Sequence, residues 1–313
     1  MANINSQNVS QAEEVFELAS KDLISFGKLF LPDDFMRSET PPFHYEVSDA
    51  IDDKSVKQLA IILPRGHGKT VLTKASILKD FVFCPKDDML FYAWVSATQK
   101  LSVGNMDYIK HHLEYNDRFL YYFGKTKGGK WTEEDIELSN GCKLISKSNV
   151  AANLVTAVVY PAIEPHTGRL RVNGTPVHYD SFINNLLINH ERAQSNNEDF
   201  AWKLITYKAI TKSGESLWHS WFPKTKLEEK KKFYQDSGQP SKFYQEYMME
   251  VQSADDALWT REHIKFWKGF YEYGADENQS YLTIEGERFP VNCFVGCDPA
   301  TDIDTKHADY SVI

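Results

Sequence analysis

Residues 63–70, which we call the glycine loop, are Leu63-Pro64-Arg65-Gly66-His67-Gly68-Lys69-Thr70. They follow a short apolar run, 58–63, that predicts a buried strand, and they precede 70–83, where apolar residues recur at helical spacing. Glycines in such a turn let backbone N–H groups point at a phosphate chain, and the positive end of the next helix favours anions. The pattern therefore predicts a phosphate-binding loop (P-loop) in an α/β fold.

Each side chain of the glycine loop has an expected part in nucleotide binding. Lys69 would reach the β- and γ-phosphates, and the Thr70 hydroxyl would complete the shell of a Mg²⁺ ion. Arg65 has two open interpretations: its guanidinium braces or senses the γ-phosphate, or it makes a surface salt bridge. Leu63 stands where the standard spacing has glycine, so the loop is a deviant Walker A motif, and a plain glycine turn is the alternative. The candidate nucleotide-binding residues of the loop are Pro64, Arg65, Gly66, His67, Gly68, Lys69 and Thr70.

The flanking sequence predicts alternating helices and strands. With the glycine loop, a second apolar run at 89–96 predicts a β-α-β unit whose strands are buried, and Asn140-Gly141 is typical of a hairpin turn. Residues 154–163 are compatible with helix or strand. Helices are predicted at 11–30, 43–51, 98–122, 227–234 and 241–249, a loop at 124–130, the hairpin strands at 136–138 and 143–145, and further strands at 169–173, 202–210 and 294–296.

Composition narrows the class of protein. The chain has 313 residues, 42% hydrophobic and 25% charged, which is typical of folded globular domains, and no stretch approaches the roughly 18 apolar residues that span a bilayer. We therefore expect a cytoplasmic protein without membrane contact. The four scattered cysteines favour free thiols over a zinc site. The net charge of -9 leaves room for a local basic surface, and the lysines of 224–232 are either a solvated helix face or a DNA contact.

The motifs, in their order along the chain, resemble those of the large terminase subunit of tailed bacteriophages, a family of ATP-driven DNA translocases. The resemblance covers nearly the whole chain. Its motifs are Phe43-His44-Tyr45, the glycine loop, Val95-Ser96-Ala97-Thr98-Gln99-Lys100, 131–142, Gly174-Thr175-Pro176-Val177-His178, Leu217-Trp218, Phe243-Tyr244-Gln245-Glu246-Tyr247 and Gly296-Cys297-Asp298-Pro299-Ala300.

The resemblance implies a P-loop NTPase fold of the RecA/ASCE type, with a mostly parallel central sheet flanked by helices. It divides the chain into a helical lead-in at 1–57, an ATPase core at 58–210, a small helical lid or linker at 211–290, and the beginning of an RNase H-like nuclease domain at 291–313. It also implies ATP and Mg²⁺ as ligands, with Mg²⁺ or Mn²⁺ in the nuclease.

Four residues outside the glycine loop take expected roles from the same resemblance. Thr175 would couple nucleotide state to DNA movement, since a hydroxyl at the carboxyl end of a strand can orient water or sense the γ-phosphate. Phe43 and His44 lie where relatives contact adenine, and a buried helix N-terminus is the alternative interpretation of these two residues. Asp298 would be a nuclease metal ligand.

The function implied is a packaging motor that pushes double-stranded DNA into a procapsid. Its expected partners are that DNA, the portal protein, the small terminase subunit and further copies in a ring, a pentamer in the family. The expected location is the host cytoplasm, docked on the procapsid.

The chain departs from the family in its carboxylates. Relatives carry an apolar strand ending in a Mg²⁺-binding Asp and a water-activating Glu before the Gly-Thr-Pro strand, whereas Glu164 is the only acidic residue between 147 and 174 here. Either a segment is omitted near 146–149, or the hydrolytic carboxylates are lost and ATP is bound without efficient turnover. Because residues after Asp298 are few, we expect no competent nuclease within the 313 residues.

Other functions can use the same loop. A helicase-like or other nucleic-acid-remodelling ATPase would need a second RecA-like domain, for which the chain has no room. A small-molecule kinase would not need the hairpin after Trp131, and a GTP-binding switch should carry an Asn-Lys-x-Asp pattern, which is missing from the sequence. A non-catalytic, nucleotide-gated scaffold is the last alternative.

Overall fold

The computed structural model describes residues 6–85, 88–148, 159–178, 180–251, 269–274, 279–284 and 286–291. The chain forms two compact units, Met1–Ser253 and Ala254–Ile313. Within the first unit helices alternate with parallel strand pairs, which confirms the predicted α/β class.

Four helices precede the first strand: α1 (Ser6–Lys21), α2 (Leu23–Phe30), α3 (Pro32–Phe35) and α4 (Pro42–Asp52). The single helix predicted over 11–30 is therefore two helices. Asp22 separates them because its extended backbone and its carboxylate, which accepts from the backbone N–H of Ser25 at 2.7 Å, cap the start of α2. Helix α4 confirms the prediction for 43–51.

The glycine loop leaves a three-stranded parallel sheet in the order β6-β1-β7. Its strands are β1 (Gln58–Ile62), β6 (Leu170–Gly174) and β7 (Lys203–Thr206), and Ile62 at the end of β1 lies opposite both Gly174 and Thr206. Residues 59–62 are buried, as expected for a parallel strand covered on both faces. Helix α5 (Lys69–Phe83) follows the loop, and α8 (Phe182–Asn196), which the sequence analysis did not predict, lies between β6 and β7 in the chain.

A second sheet has the order β2-β5-β4-β3. It contains β3 (Lys127–Trp131), β4 (Asp135–Leu138), β5 (Lys143–Ser148) and β2 (Phe91–Ser96), which pairs in parallel with β5. The predicted hairpin around Asn140-Gly141 is confirmed by the β4–β5 pairing. The prediction of a loop at 124–130 is wrong, because residues from 127 onward pair with β4.

Among the described residues β1 and β2 belong to different sheets, so the single central sheet stays a prediction. Each of β2 and β6 has one edge without a strand partner among the described residues. Asp80 of α5 links the two strands: its carboxylate accepts from the Tyr92 hydroxyl of β2 and pairs with Arg169, just before β6, at 3.5 Å. The prediction of a fully buried second strand fails, since Phe91 is 62% exposed.

The remaining helices of the first unit are α6 (Gln99–Tyr115), α7 (Asp117–Phe123), α9 (Lys224–Asp236) and α10 (Pro240–Tyr247). Asn116 divides the predicted helix 98–122 by capping α7 with its side chain. Helices α9 and α10 confirm the predictions for 227–234 and 241–249, and they share a small apolar cluster formed by Ala209, Leu227, Phe243 and Tyr247.

The second unit contains an antiparallel sheet of β8 (Gly269–Gly274), β9 (Gln279–Ile284) and β10 (Glu287–Val291), in the order β10-β9-β8. The strand predicted at 294–296 and the candidate metal ligand Asp298 lie outside the described residues. Among the helices that are described, none is both long and apolar enough to cross a membrane.

Candidate functional site

The glycine loop turns through two left-handed residues. Gly66 has φ 79° and Gly68 has φ 83°, a region in which residues with a Cβ are strained. A Cβ on Gly66 would lie 2.9 Å from the ring of Phe222, and one on Gly68 would lie 2.7 Å from Nε2 of His44. Both positions therefore require glycine for two reasons: the backbone has a positive φ, and a neighbouring ring leaves no room for a Cβ.

Helix α5 begins at Lys69 without a side-chain cap and without an acidic residue in its first turn. The first N–H groups of a helix have no partner within the helix, and they carry the positive end of its dipole. The junction of the glycine loop with α5 therefore has the chemistry of an anion site.

The ammonium of Lys69 is held inside the loop. Its Nζ donates to the carbonyl oxygens of Leu63 at 3.1 Å and Pro64 at 3.3 Å. Burial lowers the pKa of Lys69 to about 8, while the carboxylate of Glu246 opposes this shift. At neutral pH Lys69 is thus charged but poorly hydrated, which strengthens its attraction for an incoming phosphate.

Arg65 is bound to helix α10. Its Nε donates to Oε2 of Glu246 at 2.7 Å, and its backbone N–H donates to the Glu246 carbonyl at 2.9 Å. The Arg65 side chain is 66% exposed and that of Glu246 13% exposed. The structure therefore contains the ion pair that was one of the two interpretations of Arg65, and a contact with the γ-phosphate stays a prediction.

The His67 side chain points away from the phosphate side of the loop. The ring is fully buried and stacks on Phe222, with centroids 4.9 Å apart and planes at 6°. Its Nδ1–H donates to the Arg65 carbonyl at 3.1 Å, and burial lowers its pKa to about 4, so the ring is neutral near pH 7. Its Nε2 is buried without a hydrogen-bond partner among the described residues. His67 holds the segment around Phe222 against the loop.

His44 also contacts the glycine loop. Its Nε2–H donates to the His67 carbonyl at 3.0 Å, and burial lowers its pKa. Its ring meets Trp218 edge-on at 4.7 Å and Phe43 at 4.5 Å. Phe43 is only 3% exposed and does not reach the cavity described next, whereas His44 lines it.

A cavity of about 250 Å³ opens beside the loop. Its lining includes Gly66, Gly68, Lys69 and Thr70, residues of the N-terminal segment 34–44, and two indoles, Trp218 and Trp221. The structure thus brings Lys69 and Thr70 together with His44 at one cavity, and the roles expected of them in nucleotide binding stay predictions. The indoles were missed, although two tryptophans three residues apart in 217–222 were a signal that could have been followed.

Thr175 follows β6 at the same sheet edge as the loop. Because Gly174 lies opposite Ile62, Thr175 leaves the sheet beside Leu63. It is partly exposed and does not line the cavity. The sequence did not predict a hydrogen-bonded chain between β6 and α5. The Asn173 amide donates to the hydroxyl of Thr73 at 2.9 Å, and that hydroxyl donates to the Lys69 carbonyl at 2.9 Å. Strand β6 is therefore connected to the first turn of α5.

Metal ligands are scarce in this part of the molecule. Within the described ranges, no group of three His, Cys, Asp or Glu side chains is arranged to hold an ion. A Mg²⁺ ion at the loop would therefore take its ligands from Thr70, phosphate oxygens and water, a set that this ion accepts.

Neither a protein-family model nor a curated protein matches the chain.

Proposed function

We propose that the chain is a P-loop ATPase of the large-terminase type, which binds Mg-ATP at the glycine loop and uses it to move double-stranded DNA into a viral procapsid. The observation that carries the nucleotide site is the glycine loop itself. Two left-handed glycines and the uncapped start of α5 stand beside Lys69, at the mouth of a cavity of about 250 Å³. A strand, loop and helix in this order support a P-loop NTPase fold.

On binding, the β- and γ-phosphates would take the position that the Leu63 and Pro64 carbonyls now share around the Lys69 ammonium. The loop N–H groups and the start of α5 would hold the remaining phosphate oxygens. The Thr70 hydroxyl would hold Mg²⁺, which when bound neutralises charge on the phosphates.

Hydrolysis needs a carboxylate, and the structure favours the hypothesis that a segment is omitted. Strand β5 pairs with β2 in unbroken register through Ser148, so a segment omitted from the range 146–149 would follow Ser148, and β6 is the next described strand. Among the described residues, β2 and β6 each have one edge without a strand partner, which supports an additional strand there. Phe91 of β2 is an exposed apolar residue that such a strand would cover. If the carboxylates are instead lost, the chain binds ATP and turns it over poorly.

The wider assignment rests on the order of the sequence motifs. The proposed partners are duplex DNA, which is held through its backbone without base reading, the portal protein and the small terminase subunit. The proposed assembly is a ring of copies of this chain, docked on the procapsid in the host cytoplasm. Thr175, at the same sheet edge as the loop, is placed suitably for the coupling role proposed for it. A nuclease that uses Asp298 belongs to the same proposal.

The experiment compares Lys69→Ala with Lys125→Ala, which removes an exposed ammonium between α7 and β3 outside the cavity. Loss of a charge-assisted contact worth about 1.5–3 kcal/mol should weaken Mg-ATP binding by roughly 10- to 150-fold in Lys69→Ala only. ATP hydrolysis is then measured with and without duplex DNA.

Stimulation by DNA supports the motor, and intact binding without hydrolysis favours lost carboxylates. Absence of ATP binding, or equal binding by both variants, refutes the nucleotide site.

A further inference from the structure

The cavity beside the glycine loop is also lined by residues that have no part in the proposed phosphate site. Trp218 and Trp221 lie there with ring centroids 5.9 Å apart and planes inclined by 32°. Arg37 lines the same cavity from the N-terminal segment. Aromatic rings and a guanidinium that line the same cavity as the anion site match a ligand that carries a planar ring and phosphates.

Trp218 is fixed before any ligand arrives. Its indole N–H donates to the Glu39 carbonyl at 3.1 Å, and its ring lies edge-on to both His44 at 4.7 Å and Phe43 at 6.1 Å. A side chain held on several sides loses little conformational freedom when a ligand binds. Trp218 therefore serves as the rigid base on which Trp221 rests.

Trp221 is the indole that remains accessible, with 36% of its surface exposed. Its backbone N–H donates to the Trp218 carbonyl at 3.2 Å, so the two indoles belong to one turn. Arg37 donates from Nε to the Asp33 carbonyl, and no ion pair among the described residues includes it. Its terminal nitrogens carry charge that a planar π-system can use.

We propose that Trp221, which is supported by Trp218 and lines the same cavity as Arg37, is the stacking platform for the purine base of the nucleotide. This inference rests on the proposed function, because the phosphates of the same ligand must occupy the glycine loop. It transfers the base contact expected of Phe43 and His44 to the segment 217–222, since Phe43 is buried and Nε2 of His44 is engaged by the loop.

Stacking predicts how the site selects its ligand. Every base has a π-face, so a platform tolerates different ring edges, and the larger purines gain more contact than pyrimidines. ATP and GTP should therefore bind within about threefold of each other, and CTP and UTP about 5- to 10-fold more weakly.

The test is competition against a fluorescent ATP analogue by ATP, GTP, CTP, UTP and inorganic tripolyphosphate, with Mg²⁺ present. Trp221→Ala should weaken ATP and GTP by roughly 5- to 150-fold and leave tripolyphosphate unchanged. Trp221→Phe keeps a ring and should retain most of the affinity. The matched control is Tyr121→Ala, which removes a 75%-exposed ring of α7 outside the cavity.

Three results overturn the platform: ATP affinity unchanged in Trp221→Ala, CTP and UTP competing as well as ATP and GTP on the wild type, or equal losses for ATP and tripolyphosphate. In the last case the indole would support the loop and not the base. If the wild type binds neither ATP nor tripolyphosphate, both the proposed function and the stacking platform are refuted. If it binds tripolyphosphate but Trp221→Ala leaves ATP affinity unchanged, only the stacking platform is refuted.

Discussion

Replacing Gly68 by alanine perturbs the glycine loop at its most constrained position. The residue caps the start of α5 with φ 83°, where a Cβ approaches the backbone too closely. For an L-residue this conformation costs roughly 1–2 kcal/mol. The new methyl group would also stand 2.7 Å from Nε2 of His44, so that ring must move.

The His44 ring has little space in which to move, because Phe43 and Trp218 contact it edge-on at 4.5 and 4.7 Å. A shift would break its hydrogen bond to the His67 carbonyl and leave a buried donor without a partner, which costs about 1–3 kcal/mol. Together these effects should lower the free energy of unfolding by about 2–5 kcal/mol.

Urea unfolding followed by circular dichroism measures this loss. Gly104→Ala is the matched control, because Gly104 lies inside α6 with no atom within 4 Å of a new Cβ, and alanine there should stabilise by about 0.5–1 kcal/mol. The double variant with His44→Ala should lose less than the sum of its single losses, since the clash is relieved. A Gly68→Ala protein as stable as the wild type would refute the geometry of the loop and of its contact with His44.

Two further predictions concern pH. The pKa of Lys69 is lowered to about 8, so the unfolded chain keeps this proton to higher pH than the folded chain, and the free energy of unfolding should rise with pH above about 8. The affinity for tripolyphosphate, measured by calorimetry, should fall over the same range by up to tenfold per pH unit. Lys69→Arg, which stays charged, should flatten this dependence of affinity on pH. The pKa of His67 is lowered from 6.5 to about 4, so between these pH values the unfolded chain binds a proton that the folded chain does not, and the free energy of unfolding falls as pH falls. His67→Asn should reduce the slope of the urea midpoint against pH. An unchanged slope would contradict a buried, neutral His67 ring.

The elements that the sequence predicts best are those specified by residues close together in the chain. The run 58–83 combines a short apolar strand, two glycines and a helical period, and each of these signals specifies the backbone without help from distant residues. It failed at Asp22 and Asn116, where apolar periodicity continues across a side-chain cap that ends one helix and begins the next. Periodicity alone cannot show such a break, because the core-facing stripe is the same on both sides.

The sheet arrangement and half of the cavity depend on contacts between distant parts of the chain. Strand β3 carries Gly128 and Gly129, whose composition is that of a loop, and only pairing with β4 makes it a strand. Trp221 reaches the cavity because Phe222 packs on His67, more than 150 positions earlier in the chain. No pattern in the sequence around Trp221 predicts the contact between Phe222 and His67.

Leu63 shows why the deviation from the standard glycine spacing need not weaken the loop. A glycine is needed where φ is positive or where another group approaches the backbone closely. Leu63 is not among the described residues with positive φ, and its side chain is fully buried in the main core. Its carbonyl, not its side chain, faces the Lys69 ammonium. Glycine at this position would remove core packing and gain no conformational freedom that the loop uses, so the two glycines at 66 and 68 are sufficient for the turn.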